Sequence, residues 1–216
     1  MSEDRFRDRS QAGKLLANRL SHYSGQDDVL VLALPRGGVP VAIEVARALR
    51  VPMDIFIVRK LGVPGREELA MGAIASGDVR VLNHHVAVHS GVNEHTLAQV
   101  LVREERELKR REQTYRNDRP TPNIEDKTAI LIDDGLATGS TMRAAIMGVR
   151  AHDPAKVVVA VPIAAPEICA EIGSQVDEVV CLRQPATLLG IGAWYDDFSQ
   201  LSDEEVKALL AEFIDR

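Results

Sequence analysis

The chain has 216 residues, of which 45% are apolar and 27% charged, with a formal net charge of −6. This is the composition of one globular domain, and the negative charge argues against a protein that coats nucleic acid or anionic membrane. The charged N-terminus MSEDRFRDRS holds no apolar signal segment, and no apolar run approaches the roughly 20 residues of a membrane helix. The two cysteines lack metal-site spacing and fit a reducing cytosol, so we expect a cytoplasmic protein.

Short apolar runs alternate with helical patterns in the first half of the chain. The run VLVLAL at 29–34 is typical of a strand buried on both faces of a parallel sheet. The predicted elements are a helix over 12–23, a strand over 29–34, a helix over 39–50, a strand over 54–58, a Gly/Pro-containing loop over 60–68, and paired strands over 69–75 and 79–82.

A long charged helix over 93–118 precedes the second half, and its i,i+4 pairs, such as Glu107 with Arg111, favour a solvated helix over a binding arm. Beyond it, strands and helices alternate, which predicts βαβ units. The predicted elements are strands over 127–133, 156–162 and 176–182, and helices over 139–151, 165–172 and 202–215. The predicted fold class is therefore α/β, with an open, mostly parallel sheet flanked by helices.

One turn combines small residues, hydroxyls and carboxylates at the end of a predicted strand. The segment 130–141 reads ILIDDGLATGST, in which Asp133 and Asp134 precede a loop that enters a helix. Small residues let backbone N–H groups approach an anion, and a helix N-terminus adds partial positive charge, so the loop suits a phosphate monoester. The two acids suit the vicinal hydroxyls of a ribose or the shell of a Mg²⁺ ion. A plain capped loop is the alternative. The phosphate-binding candidates are Ala137, Thr138, Gly139, Ser140 and Thr141.

The segment 130–141 resembles the motif of type I phosphoribosyltransferases that binds 5-phosphoribosyl 1-diphosphate (PRPP). That motif has an apolar strand, two acids, a spacer and a Thr-Gly-small-Thr loop. More weakly, FRDRSQAG near the N-terminus and IGAWYDDF at 191–198 resemble a bacterial subgroup of the family. The resemblance implies PRPP and an unidentified small-molecule acceptor as substrates, pyrophosphate as a product and Mg²⁺ as cofactor. It assigns the ribose hydroxyls and the developing positive charge to Asp133 and Asp134. Members of the family often dimerise, so the resemblance is compatible with a homodimer.

Two other strand ends carry groups that suit pyrophosphate. LPRGG at 34–38 follows the first predicted strand, where the family binds pyrophosphate, although alone it is only a turn. The cations at 59–60 follow the next strand and match basic residues that contact the leaving group in the family, with a solvated pair as the alternative. The pyrophosphate candidates are Arg36, Gly37, Gly38, Arg59 and Lys60, the last two also as catalytic residues.

The family closes a mobile loop over the reaction where this chain reads LGVPGREEL. The resemblance therefore predicts a lid over 60–68, with Gly62 and Gly65 as hinges, that excludes water. From this lid Glu67, as a catalytic residue, or Glu68 could reach the substrate, with exposed loop polarity as the alternative.

The resemblance also implies a hood that selects the nucleophile, built from the N-terminal segment and 184–201. Trp194 could stack on a base, with Tyr195, Asp196 and Asp197 as hydrogen-bonding partners, while packing is the alternative for Trp194. A core over about 25–183, an inserted helix over 93–118 and a C-terminal helix over 202–215 complete a single predicted domain over 1–216.

Ala137 departs from the family's pattern for 6-oxopurines, which usually places an acid just before the Thr-Gly of the loop. Such purine chemistry is therefore disfavoured. Either the acids at 67–68 manage the proton of the nucleophile, or the nucleophile needs no general base.

The leading prediction is a cytosolic, Mg²⁺-dependent phosphoribosyltransferase. Its rival is a PRPP-sensing regulator of the same fold that binds nucleic acid. The only basic candidate for that role, 103–116, is largely cancelled by its glutamates. A hydrolytic or non-catalytic relative that splits a phosphorylated sugar is the third alternative, which the intact PRGG and 59–60 cations disfavour.

Overall fold

The computed structural model describes residues 5–116 and 119–214. Residues 1–4 of the candidate hood, and the predicted helix ends at 117–118 and 215, lie outside these ranges. The helices are α1 (Arg9–Arg19), α2 (Gly38–Leu49), α3 (His84–His89), α4 (Glu94–Arg116), α5 (Ser140–Arg150), α6 (Pro166–Gly173) and α7 (Asp203–Ile214). The strands are β1 (Val29–Ala33), β2 (Met53–Ile55), β3 (Val58–Val63), β4 (Arg66–Ala75), β5 (Val79–Leu82), β6 (Thr128–Ile132), β7 (Lys156–Ile163) and β8 (Glu178–Arg183). Among these described helices, none has both the length and the apolarity to cross a membrane.

Five strands form a parallel sheet in the order β2-β1-β6-β7-β8. The two central strands, β1 and β6, pair along their whole length and are buried at every position. They are buried because α1, α2 and α7 share one apolar core with one face of the sheet, and α5 and α6 share a second core with the other face. The predicted α/β fold with an open parallel sheet is confirmed.

The strand order reverses between β1 and β6, because the chain passes from β1 to β2 on one side and from β6 to β7 on the other. In open parallel sheets, ligands bind beyond the carboxyl ends of the strands at such a reversal. The LPRGG turn after β1 and the acidic turn after β6 therefore lie side by side at the place where this fold class binds ligands.

The prediction of one strand over 54–58 and a loop over 60–68 was wrong. Strand β2 ends at Ile55, and β3 and β4 form a hairpin that pairs with β5 in a separate antiparallel sheet. Its turn contains Gly65 at φ +79°. The first four residues of β4, REEL, are exposed, so this strand pairs through its backbone without the apolar alternation that marks a strand in sequence. Gly62 packs against the backbone of Glu67 within the hairpin, which is not the setting of a hinge.

Helix α4 lies against the hairpin and α7. It buries a stripe at helical spacing that includes Val100, Glu104 and Leu108, and its exposed face carries ion pairs such as that of Glu107 with Arg110. The solvated outer face agrees with the sequence, but the helix is also a packed part of the fold.

Candidate functional site

The LPRGG turn packs directly on the acidic turn. A Cβ atom on Gly37 would lie 2.0 Å from a carboxylate oxygen of Asp134, and one on Gly38 would lie 2.5 Å from the carbonyl oxygen of Ile132. Only glycine permits this approach. The peptide bond between Pro35 and Arg36 is cis. The structure thus brings together two of the three turns selected from the sequence.

The two carboxylates at the end of β6 concentrate negative charge in a partly buried place. The Asp134 N–H donates to Oδ1 of Asp133 at 2.9 Å. Burial, and after it the charge of Asp134, raises the pKa of Asp133 well above its ordinary value. Burial also raises the pKa of Asp134, although a hydrogen bond from Arg9 opposes this effect. The pair therefore favours a ligand that brings positive charge or hydroxyl donors.

Sequence reasoning missed Arg9, the cation that faces this pair. Its Nε lies 2.8 Å from Oδ2 of Asp134, and the two side chains are only 11% and 14% exposed. The guanidinium stands 3.9 Å over the ring of Phe198 and donates to the carbonyl oxygen of Ser199 at 3.0 Å. The partners are 125 positions apart, and the only sequence signal was the N-terminal stretch FRDRSQAG.

The phosphate-loop candidates surround a small cavity of about 170 Å³ at the N-terminus of α5. Gly139 precedes the helix with φ +70°, and Arg143 donates to the carbonyl oxygen of Thr138 at 2.8 Å. The cavity is lined by Asp133, residues 135–142 and Ile191. The backbone and hydroxyl donors of the loop therefore meet Asp133 in one concavity, at a helix N-terminus of the kind that binds anions.

The carboxylate of Glu68 reaches into this loop from the hairpin. It accepts from Oγ1 of Thr138 at 3.1 Å and lies 3.3 Å from Nζ of Lys60. Hydrogen bonds from Ser140, Thr138 and Lys60 lower the pKa of Glu68. The carboxylate of Glu68 thus accepts a hydrogen bond from Thr138, a residue that the sequence predicts to bind phosphate.

The two cations at 59–60 lie inside β3, not at the end of a strand, and successive residues of a strand point to opposite faces. Arg59 points to α4, where Nε and Nη2 donate to Oε2 of Glu104 at 2.8 and 2.6 Å. Lys60 points to the phosphate loop, where Nζ donates to Oγ of Ser140 at 3.2 Å. Arg36 lies 3.8 Å from Asp203. Of these three described cations, only Lys60 is therefore hydrogen-bonded to the phosphate loop.

A second cavity of about 370 Å³ adjoins the phosphate loop. Its lining includes Arg59, Lys60, Glu67 and Thr141, together with residues of α4. Glu67 is exposed, and hydrogen bonds from its own and the Gly65 backbone N–H lower its pKa. A lowered pKa makes Glu67 a weaker base than an ordinary carboxylate.

The N-terminal segment and the segment after β8 pair through their backbones, since the Phe6 N–H donates to the Trp194 carbonyl oxygen at 2.8 Å. Tyr195 is 1% exposed, and its hydroxyl donates to the carbonyl oxygen of Asp134 at 2.7 Å. It thus packs behind the acidic turn rather than on an open surface. Trp194 is half-buried beside it, and Asp197 is exposed and accepts from the Ser199 N–H at 2.9 Å.

Comparison of the sequence with known proteins identifies the family to which a chain with this site belongs. A model of the phosphoribosyl transferase domain matches residues 8–184. The chain is 46% identical over 205 residues to a Mycobacterium tuberculosis (strain H37Rv) protein named "Putative phosphoribosyl transferase Rv0571c"; the match covers 95% of this chain and 46% of that protein. The chain therefore spans about half the length of the curated relatives it matches.

Solved structures give the same result for the fold. TT1426 from Thermus thermophilus superposes with a TM-score of 0.88 and 41% identity, over 97% of this chain and 99% of that one. AQ2163 from Aquifex aeolicus, at 14% identity and a TM-score of 0.50 over 81% and 73%, is similar in fold alone. The fold and site define an α/β protein with a glycine-containing turn at a helix N-terminus beside two carboxylates. The chain belongs to the phosphoribosyltransferase family.

Proposed function

We propose that the protein is a Mg²⁺-dependent phosphoribosyltransferase that uses PRPP and releases pyrophosphate. The observation that carries this proposal is the single concavity that joins the phosphate loop at α5 to Asp133, which accepts a hydrogen bond from the neighbouring Asp134. A phosphate loop alone would suit any phosphorylated ligand. The adjacent acid pair adds partners for vicinal hydroxyls, which a ribose 5-phosphate carries.

The reaction breaks the bond between C1 of the ribose and the pyrophosphate oxygen, which leaves with the electron pair, while a lone pair of the acceptor forms the new bond at C1. The transition state carries positive charge on the sugar and added negative charge on the leaving group. Asp133 and Asp134 would hold the ribose hydroxyls and stabilise the positive charge. Residues 137–141 would fix the 5′-phosphate, so that C1 is held in position for attack.

The acid pair fits Mg²⁺ in its chemistry. Among the described residues, Asp133 forms no ion pair, and a hard oxygen donor with a raised pKa is the kind of group that a divalent cation satisfies. The described chain offers no cluster of three or more potential protein ligands, so the substrate and water would complete the coordination. When bound, Mg²⁺ supplies positive charge that neutralises the pyrophosphate.

Arg36, Arg59 and Lys60, with the amides of Gly37 and Gly38, would bind the leaving group at the cis peptide turn and β3. Glu67 would accept the proton of the nucleophile, and its lowered pKa favours acceptors that lose this proton readily. Ala137 leaves the loop without the acid expected for a 6-oxopurine. We therefore propose another nucleobase or a related amine as acceptor, received by Trp194 and Asp197 of the hood.

Cys169 and Cys181 are free thiols, which fits a reducing compartment and supports a cytoplasmic reaction.

Calorimetry with PRPP, with and without Mg²⁺, tests the proposal, followed by a screen of nucleobases and amines for pyrophosphate release. We expect saturable PRPP binding that weakens when the metal is chelated. Absence of PRPP binding would contradict the proposal. Binding without release for any acceptor would favour a PRPP-sensing protein.

The roles of the two acids can be tested with the double variant Asp133→Asn and Asp134→Asn. We expect PRPP turnover to fall on the order of 100-fold or more, because the charge that stabilises the transition state is removed. The matched control is Asp27→Asn with Asp28→Asn, an adjacent exposed acid pair before β1. Turnover by the first variant at the rate of the control would show that the assignment is wrong.

A further inference from the structure

The cavity of about 370 Å³ beside the phosphate loop has a wall that comes from α4. The LPRGG turn contributes Leu34 and Pro35 to the lining, and β3 contributes Arg59 and Lys60. Helix α4 contributes three further side chains to the lining, Arg103, Glu104 and Arg111. None of these three lies in the turns after β1 and β6.

Arg59 and Arg103 share one buried carboxylate in this wall. Glu104 is 6% exposed, and its Oε2 accepts two hydrogen bonds from Arg59. Its Oε1 accepts from Nε of Arg103 at 2.9 Å. Within the described ranges, this is the only hydrogen bond of the Arg103 guanidinium, so both terminal nitrogens are open to a ligand. An arginine that is already oriented loses less side-chain entropy when it binds an anion.

The side chains that line the cavity carry an excess of positive charge, and Glu68 and Glu107, which are not part of the lining, pair with two of its cations. Four cations line it, against the two carboxylates of Glu67 and Glu104, and one of the cations, Lys60, reaches Oγ of Ser140 at 3.2 Å. Lys60 therefore links the positive charge of the cavity to the phosphate loop. It suits a polyanion attached to the same ligand that the loop holds.

We propose that Arg103 binds the pyrophosphate group of PRPP, a role that rests on the proposed function. The inserted helix then adds to the anion site formed by the LPRGG turn and β3, with the guanidinium oriented by Glu104. Bidentate donors of this kind match the paired oxygens of a phosphate better than an ammonium group does.

Calorimetry with two probes, inorganic pyrophosphate with Mg²⁺ and ribose 5-phosphate, tests the role of Arg103. Arg103→Gln is expected to weaken pyrophosphate binding about tenfold, the loss typical of one charge-assisted hydrogen bond, and to leave ribose 5-phosphate binding unchanged. The control is Arg106→Gln, which makes the same change of charge one turn away. Arg106 is exposed and does not line this cavity, so we expect both affinities to be kept.

The outcomes separate this inference from the proposed function. If the wild type binds neither PRPP nor pyrophosphate, the proposed function fails and the inference fails with it. If the wild type binds both and the Arg103 variant holds pyrophosphate as tightly as the Arg106 variant, only the inference fails. Equal losses for pyrophosphate and ribose 5-phosphate in the Arg103 variant would also overturn it, since they indicate a disturbed fold.

Discussion

At the scale of single residues, Asp133 shows a conflict between stability and ligand binding. Its carboxylate is partly buried next to a second one, and both burial and the Asp134 charge raise its pKa. The folded protein therefore disfavours the ionised form that a cation or a ribose would use. Strain of this kind is common at functional sites and lowers the stability of the ligand-free protein.

Asp133→Asn is expected to raise the free energy of unfolding at neutral pH, by about 1.4 kcal/mol for each unit by which the pKa of Asp133 is raised. Asn keeps an oxygen acceptor for the Asp134 N–H but carries no charge. Because the pKa of Asp133 is raised in the folded state, its contribution to stability is fully present below the ordinary carboxyl pKa and is lost as pH rises through the raised value. The gain of the variant should therefore develop between these limits and stay constant above them.

Urea unfolding across this pH range measures the gain, with Asp27→Asn as the exposed control. An Asp133→Asn variant that is less stable than wild type at neutral pH would contradict the assigned cause of the raised pKa. A gain that is also present below the ordinary carboxyl pKa would contradict it equally.

Glu68 gives a second prediction at this scale. Its carboxylate holds Thr138, which we assign to the 5′-phosphate, and Lys60, which we assign to the pyrophosphate, so a phosphate bound at the loop has to displace it. Glu68→Gln should strengthen binding of ribose 5-phosphate severalfold, on the order of 3- to 10-fold, because the competing charge is removed. Calorimetry measures this, with Glu204→Gln on the exposed face of α7 as the control. Equal or weaker binding by the Glu68 variant would show that Glu68 assists the ligand instead of competing with it.

At the scale of elements, α4 is tied to the central sheet at its C-terminal end. Arg116 is 4% exposed, and it donates to Oδ2 of Asp54 at 3.0 Å and to the carbonyl oxygen of Ile55 at 2.7 Å, both in β2. A buried ion pair of this kind contributes little net stability relative to apolar side chains, but loss of one partner is costly.

Arg116→Met should therefore destabilise the protein by about 3 kcal/mol, because Asp54 is left partly buried without its cation. Chemical unfolding measures the change, and Arg106→Met on the outer face serves as the control. Adding Asp54→Asn to Arg116→Met should recover part of the loss. A loss below about 1 kcal/mol for Arg116→Met alone would show that the pair does not anchor α4.

Elements with continuous or periodic apolar patterns were predictable from sequence. Strands β1 and β6 are short apolar runs because helices cover both faces of the sheet. The hairpin of β3 and β4 was not predictable, because REEL is exposed and pairs only through backbone groups. The prediction that residues 59–60 end a strand failed with it, because they are the second and third residues of β3 and point to two different partners.

At the scale of the whole molecule, the place of the candidate site was predictable and its ion pairs were not. The carboxyl ends of β1 and β6 meet because parallel strands run in one direction, so neighbouring loops follow from topology. The pairing of Arg9 with Asp134 spans 125 positions, and that of Glu68 with Thr138 spans 70. Contacts at such separations depend on how the helices and the hairpin pack, so they cannot be predicted from the local periodicity of the sequence.

Across the described site, the ligand-free protein supplies its own counter-ions. Arg9 is held by Asp134, Arg59 by Glu104, Lys60 by Glu68, and Arg36 lies near Asp203. Binding of a polyanion is consequently an exchange of one set of anions for another, not a neutralisation of bare cations. Added salt screens the old and the new pairs alike. Affinity for the ligand should therefore depend on ionic strength less steeply than the number of cations in the site suggests.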